Sequence, residues 1–345
     1  MPACRHPRRL AVVAAVLVAV VGLLGATFGT AGAAASSPSE VRIGYQAIPN
    51  GDLVVKHEGW LEDAFGKDVK VRWIPFGSGG LVNEAVAAGT IDLGAAGSSP
   101  VARGISTGVG YRVPWIFDVI GTGEALVARA GITTVAGLAG HTIAVPRAST
   151  AHESLLAALQ DAGVAPGAVR IVFAEPEAIA SAWTRGEIDA AYVWNPVLGT
   201  LAASGGHTLV TSADLAAKGH TTYDLGVVAD AFARRYPGAV RTWVTEQQRA
   251  VALIRNRPAR AVAAIAAELG VTPEQAKAQL AGVTVLDAPT QSGPKYLGGG
   301  LGDDLYATAR FNADLGEIAT VRPEADYADA VTDAFVRSAR SASRA

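Results

Sequence analysis

Cysteine is almost missing from this 345-residue chain; the single one, Cys4, lies ahead of an apolar run from Leu10 to about Leu24. A lipobox cysteine cannot stand there, so lipid anchoring is disfavoured. If that leading segment is removed no thiol remains, which excludes disulfides, thiolate metal sites and cysteine nucleophiles together. Enzyme signatures are missing too. The five later histidines, His57, His141, His152, His207 and His220, form no close i, i+4 pair, and His152-Glu153 lacks the second histidine of a zinc-protease helix. Gly77-Ser78-Gly79-Gly80 lacks the Lys-Ser/Thr of a phosphate loop, and Gly298-Gly299-Gly300 has no strand-to-helix setting. No serine sits in a Gly-x-Ser-x-Gly elbow followed by a suitable acid and histidine. No catalytic residue, metal ligand or cofactor site is legible, and the chain is expected not to be an enzyme. A basic excess is also absent, with 29 Lys and Arg against 31 Asp and Glu, so nothing recruits nucleic acid or an anionic membrane surface.

The amino terminus itself carries a signal. Arg5, Arg8 and Arg9 precede the apolar run, and a small-residue stretch, Ala31-Gly32-Ala33-Ala34-Ala35, follows it. Residues 1–35 are therefore expected to be an export signal cleaved near Ala35, placing the protein in the periplasm or at the extracytoplasmic cell surface. The run is short and rich in Ala and Gly for a membrane span, although a retained anchor is the alternative. Arg8-Arg9 with Leu10-Ala11-Val12 matches a twin-arginine pattern only loosely. Cleavage leaves 310 residues, enough for two ordinary domains, with 26 basic residues against 31 acidic and a net charge of about −5.

Strand-like runs at 41–47, 69–76, 91–97, 142–146, 169–173 and 188–194 alternate with amphipathic stretches, which predicts parallel α/β sheets. From about Ala231 the pattern changes to Ala-rich helices over 241–255, 258–269 and 273–280. Two segments resemble one another: Gly89-Thr90-Ile91-Asp92 leads to Ser99-Pro100, and Gly186-Glu187-Ile188-Asp189 leads to Asn195-Pro196. Each reads as a Gly-capped helix end, a buried strand, and a Pro opening the next helix. Two lobes of similar build would produce such a pair.

Ligands of open α/β sheets sit beyond the carboxyl ends of the strands, next to helix N-termini that favour anions. Two segments qualify. In Gly97-Ser98-Ser99-Pro100 a Ser can cap with Pro at the first helical position, and in Ser149-Thr150-Ala151-His152-Glu153 the residues Thr150 and Glu153 have capping-box spacing. Each could grip an oxyanion or simply be a well-capped helix. Glu124 and Asp224 stand at the mouths of apolar strands, where a carboxylate either holds an ammonium group or is solvated. Tyr45-Gln46, Tyr192 and Trp194 offer an amide and aromatic walls, or belong to the core.

Gly97-Ser98-Ser99-Pro100, Gly123-Glu124-Ala125-Leu126, Ile143-Ala144-Val145-Pro146, Ser149-Thr150-Ala151-His152, Ala190-Ala191-Tyr192-Val193-Trp194 and Asp224 ahead of Val227-Val228 resemble the substrate-binding proteins of taurine, or aliphatic sulfonate, ABC importers. The resemblance implies a type II periplasmic-binding-protein fold. Residues 40–125 plus 228–345 would form the first lobe, 126–227 the second, and two crossing strands the hinge. It also implies that Gln46, Ser98, Ser99 and Thr150 hold a sulfonate, that Glu124 and Asp224 hold an amine, and that Trp194 packs on the ligand. The expected partners are a small aminosulfonate, a membrane permease and, through it, an ATPase subunit, with the protein itself a monomer. The alternatives are a carrier of other alkyl sulfonates or nitrate-like anions, or a thiamine-precursor-type enzyme on the same fold. Leu225-Gly226 and Ile48-Pro49-Asn50-Gly51-Asp52 depart from the family's pattern, which implies room for a larger or different sulfonate.

Overall fold

The computed structural model describes residues 37–342; the expected export signal lies outside them. Among the described residues eleven strands are arranged in two sheets. The first sheet contains β1 (Glu40–Tyr45), β2 (Lys70–Pro75), β3 (Leu93–Gly97), β4 (Tyr111–Ile120), β10 (Tyr223–Ala229) and β11 (Val283–Thr284) in the order β11-β4-β10-β3-β1-β2. The second contains β5 (Glu124–Ala128), β6 (Thr142–Val145), β7 (Arg170–Phe173), β8 (Ala190–Trp194) and β9 (His207–Thr211) in the order β7-β6-β8-β5-β9.

Both sheets are mixed, which corrects the expectation of parallel ones. β2-β1-β3 and β7-β6-β8 are parallel, whereas β10 runs antiparallel to β3 and β4, and β5 antiparallel to β8 and β9. β10 and β5, the strands that arrive from the other sheet, run against the parallel strands of their sheets, as does the short edge strand β11, which pairs antiparallel with β4. These changes of sheet occur at 121–123 and between Thr211 and Tyr223, a segment that includes the helix Ser212–Ala216. Boundaries at 125/126 and 227/228 would cut β5 and β10 in mid-ladder, so each whole strand goes with its sheet.

The internal likeness has a structural counterpart. Gly89 and Gly186 take left-handed φ values of 67° and 75° after their helices, a conformation open to glycine at little cost. The next Asp in each copy ties its strand to the parallel neighbour: Arg42 N donates to Asp92 Oδ2 at 2.9 Å, and Thr142 N to Asp189 Oδ2 at 2.8 Å. Strands buried on both faces alternate between two cores. Ala190 and Tyr192 enter one cluster with Leu126 and Ala128, while Ala191 and Val193 enter another with Ala125 and Val127. The carboxy-terminal helices Pro237–Asn256, Pro258–Leu269 and Pro273–Leu280 each begin with Pro, whose missing N–H costs nothing at that position.

Candidate functional site

A narrow cavity with about 30 Å³ of water-accessible space opens where both sheets present the same end. The carboxyl ends of β1, β3 and β8, the amino ends of β5 and β10, and the start of the helix Thr150–Asp161 meet there. Of the seven residues singled out above, Gln46, Glu124, Thr150, Trp194 and Asp224 line it. Ser98 and Ser99 do not: the Ser98 hydroxyl accepts the Tyr223 N–H at 3.2 Å, and that of Ser99 accepts Asn312 Nδ2 at 3.2 Å. Their segment contributes Gly97 and Pro100 to the wall instead. Gln46 spends one amide N–H on the Ala95 carbonyl at 2.8 Å, which fixes its plane against β3. Tyr192 is core, and Tyr45 packs edge-on against Trp73.

The two helix ends differ from their expected caps. The helix Ser98–Ser106 starts with Gly97 at the N-cap and no capping side chain, and Pro100 is its third residue. Its first-turn N–H groups are therefore not taken by a side-chain cap. In Thr150–Asp161 the cap is Ser149, whose hydroxyl accepts the His152 N–H at 3.1 Å, so Thr150 and Glu153 form no capping box. His152 turns away from the cavity: Nδ1 accepts the Ala148 N–H, and the ring packs edge-on against Phe173. Its role is to hold the loop ahead of the helix.

Glu124 and Asp224 are buried, not solvated. Glu124 accepts hydroxyl hydrogen bonds from Thr150 at 2.6 Å, Ser212 at 2.7 Å and Ser154 at 3.5 Å. Burial nonetheless pushes its carboxyl up to about 7, because neutral donors offset only part of the lost hydration. Asp224 is raised well above the ordinary carboxylate range by burial and by the adjacent Asp118 and Glu124. Ser154 belongs to the segment after His152 that also carries the resemblance, but neither it nor Ser212 nor Asp118 was expected in the site. Each lies inside an element or at its start, and only the fold brings them to these acids.

Of the departures from the family's pattern, Ile48 and Pro49 line the cavity, but Leu225 and Gly226 do not. Leu225 is core, and the space over Gly226 is occupied by the Trp243 indole. The absent side chain makes room for a tryptophan rather than for ligand.

These raised carboxyls set the pH dependence of stability. Glu124, Glu153 and Asp52 are each pushed up to about 7 by burial, whereas unfolded carboxyls titrate near about 4. Between those values the folded chain binds more protons than the unfolded one, so stability falls as pH rises, by up to about 1.4 kcal/mol per unit per group. The melting temperature of the empty protein is expected to be higher near pH 5 than near pH 7.5. A temperature that is flat or climbs over this range would contradict the burial of these acids.

Residues 50–261 match the family described as NMT1/THI5 like. The chain belongs to that family. It is 34% identical over 284 residues to the taurine-binding periplasmic protein of Escherichia coli (strain K12), an alignment that spans 80% of this chain and 87% of that one. Two solved structures share the fold of this NMT1/THI5-like protein. The alkanesulfonate-binding protein SsuA from Xanthomonas axonopodis pv. citri, bound to MOPS, has a TM-score of 0.71 at 23% identity, covering 86% of this chain and 98% of that one. The nitrate-binding protein NrtA from Synechocystis PCC 6803 has a TM-score of 0.70 at 13% identity, covering 88% and 89%. The fold is the two-lobed binding-protein fold that the resemblance implied. The chain is a substrate-binding protein, not an enzyme.

Proposed function

We propose that this protein is exported, captures taurine or a closely related small aminosulfonate in the cavity between its sheets, and delivers it to the permease of an ABC importer. One observation carries the reading. Among the described residues lining the cavity, the only ionisable side chains are two acids, Glu124 and Asp224. A plain anion would meet these carboxylates without a compensating cation. A zwitterion meets both ends of the site. Its ammonium faces Glu124 and Asp224, while its sulfonate takes N–H groups from the helix starts at Gly97 and Ser149 and from the Gln46 amide. The name of the Escherichia coli relative supports the same ligand. A ligand touching residues of both sheets favours the closed arrangement, and closure is what the permease would recognise.

The test is a thermal-shift and calorimetric screen of taurine, ethanesulfonate, nitrate and pyrimidine precursors. A ligand at a hundredfold excess over Kd stabilises by about 2.7 kcal/mol, a readily measured shift. Taurine is expected to give the largest one. Equal or larger shifts with ethanesulfonate or nitrate would remove the need for an amine site.

A further inference from the structure

β4 carries a carboxyl to the back of the cavity that the site described so far does not use. Asp118 stands directly opposite Asp224 in the β4–β10 ladder, is completely buried, and forms no part of the cavity wall. Directly opposed residues of a ladder project to the same face, so the two carboxyls face one another. Two carboxyls so placed resist ionising together, and a hydrogen bond between them needs one of them protonated, since an ionised carboxylate can only accept. Asp118 Oδ2 receives Asn50 Nδ2 at 3.4 Å, and no N–H or hydroxyl reaches Oδ1. Glu124, from β5, is the other charged group acting on both, and its charge opposes ionisation of either. Among the described residues no cation acts on this pair, and a buried carboxylate with so few donors is costly.

We propose that Asp118 is a positioning residue for the ligand's ammonium group: it accepts the hydrogen bond of Asp224 in the empty cavity and, when an ammonium arrives, lets the pair's negative charge settle on Asp224. This rests on the aminosulfonate reading above. Where the pair already carries one negative charge, capture moves a proton from Asp224 to Asp118, and the pair adds no pH dependence of its own. Where both carboxyls are protonated, Asp224 must lose its proton to solvent, so affinity falls about tenfold for each pH unit of acidification. The two regimes meet at a breakpoint that belongs to the pair.

The test measures taurine binding by calorimetry from about pH 4.5 to about pH 8 in buffers of different ionisation enthalpy, with ethanesulfonate as the amine-free probe. For the unaltered protein, taurine affinity should rise with pH and then level off, with release of about one proton on the rising limb. Asp118→Asn removes the acid that opposes ionisation of Asp224 and should move the breakpoint down by about one unit or more. Asn50→Ser keeps a residue suited to the helix cap but removes the donor to Asp118, and should move the breakpoint up. Ethanesulfonate binding should not follow these shifts. Profiles of both variants that overlay that of the unaltered protein would overturn the role of Asp118. If Asp118→Asn does not fold, Asn50→Ser decides alone: an upward shift supports the proposal and an unchanged breakpoint overturns it. A protein that binds ethanesulfonate but not taurine fails differently, by removing the aminosulfonate reading itself.

Discussion

Replacing Asp224 with Asn is expected to weaken taurine binding by about 30-fold to several thousandfold while leaving ethanesulfonate binding within about threefold. The size follows from burial. Asp224 is 7% exposed, so an ammonium facing it is screened by little water, and removing one partner of such a pair costs roughly 2–5 kcal/mol. Asn preserves the shape, and the ladder contacts of Asp224 with Gly97 and Asp118 are backbone pairings that the substitution keeps. Folding should be little disturbed, because Asn is uncharged and burial already opposes the charged form of Asp224. Calorimetry with both ligands decides the matter. A parallel loss for taurine and ethanesulfonate would make Asp224 a structural residue, and survival of both would place the amine elsewhere.

Much of the architecture was legible because the first-sheet and second-sheet units are built alike. Strands β2, β3, β6, β7 and β8 fall within the predicted runs, β1 starts one residue ahead of its own, and the helices Pro258–Leu269 and Pro273–Leu280 match theirs to the residue. β4 was not predicted, and its composition shows why. Pro114 interrupts Tyr111–Ile120, a feature that argues against a central strand. The structure accommodates it at an irregularity: Trp115 pairs with Gly226 and Arg112 with Val228, so the register slips across residues 113–114, where a missing N–H does least harm. Strand direction was equally hidden. Periodicity marks a buried strand but not which way it runs, and β5 and β10 are buried along their length like the parallel strands β3 and β8.

The candidate site was legible where a residue's position at a strand or helix end marked it, as at Glu124, Thr150, Trp194 and Asp224. It was illegible where function depends on contacts between distant segments. Ser212 reaches Glu124 from 88 positions away and Asn50 reaches Asp118 from 68. Asp118 lies within the strand that Pro114 disguised. The Ser98 and Ser99 hydroxyls looked free because their acceptor roles are filled by Tyr223 and Asn312, both more than 120 residues downstream.

The second large effect is expected below the cavity, at Trp243. This side chain is fully buried, packs edge-on against Phe117 with ring centroids 5.9 Å apart, and covers Gly226 of β10. Truncating it to Ala should cost about 3–5 kcal/mol, the range for removing a large aromatic from a core. Phe should cost much less, because the indole Nε1 of Trp243 has no hydrogen-bond partner to lose. The reverse change tests the same contact. A Cβ added at Gly226 would overlap the outer edge of the indole ring, so Gly226→Ala should lose about 1–3 kcal/mol by overpacking. Phe lacks the ring atom that Cβ would meet. The double variant Gly226→Ala with Trp243→Phe should therefore lose less stability than the two single losses combined, as expected for residues in direct contact. Denaturant unfolding of the four proteins measures this coupling. Strict additivity would mean that the glycine at 226 serves something other than the tryptophan, and the pocket side of β10 would then be the place to look.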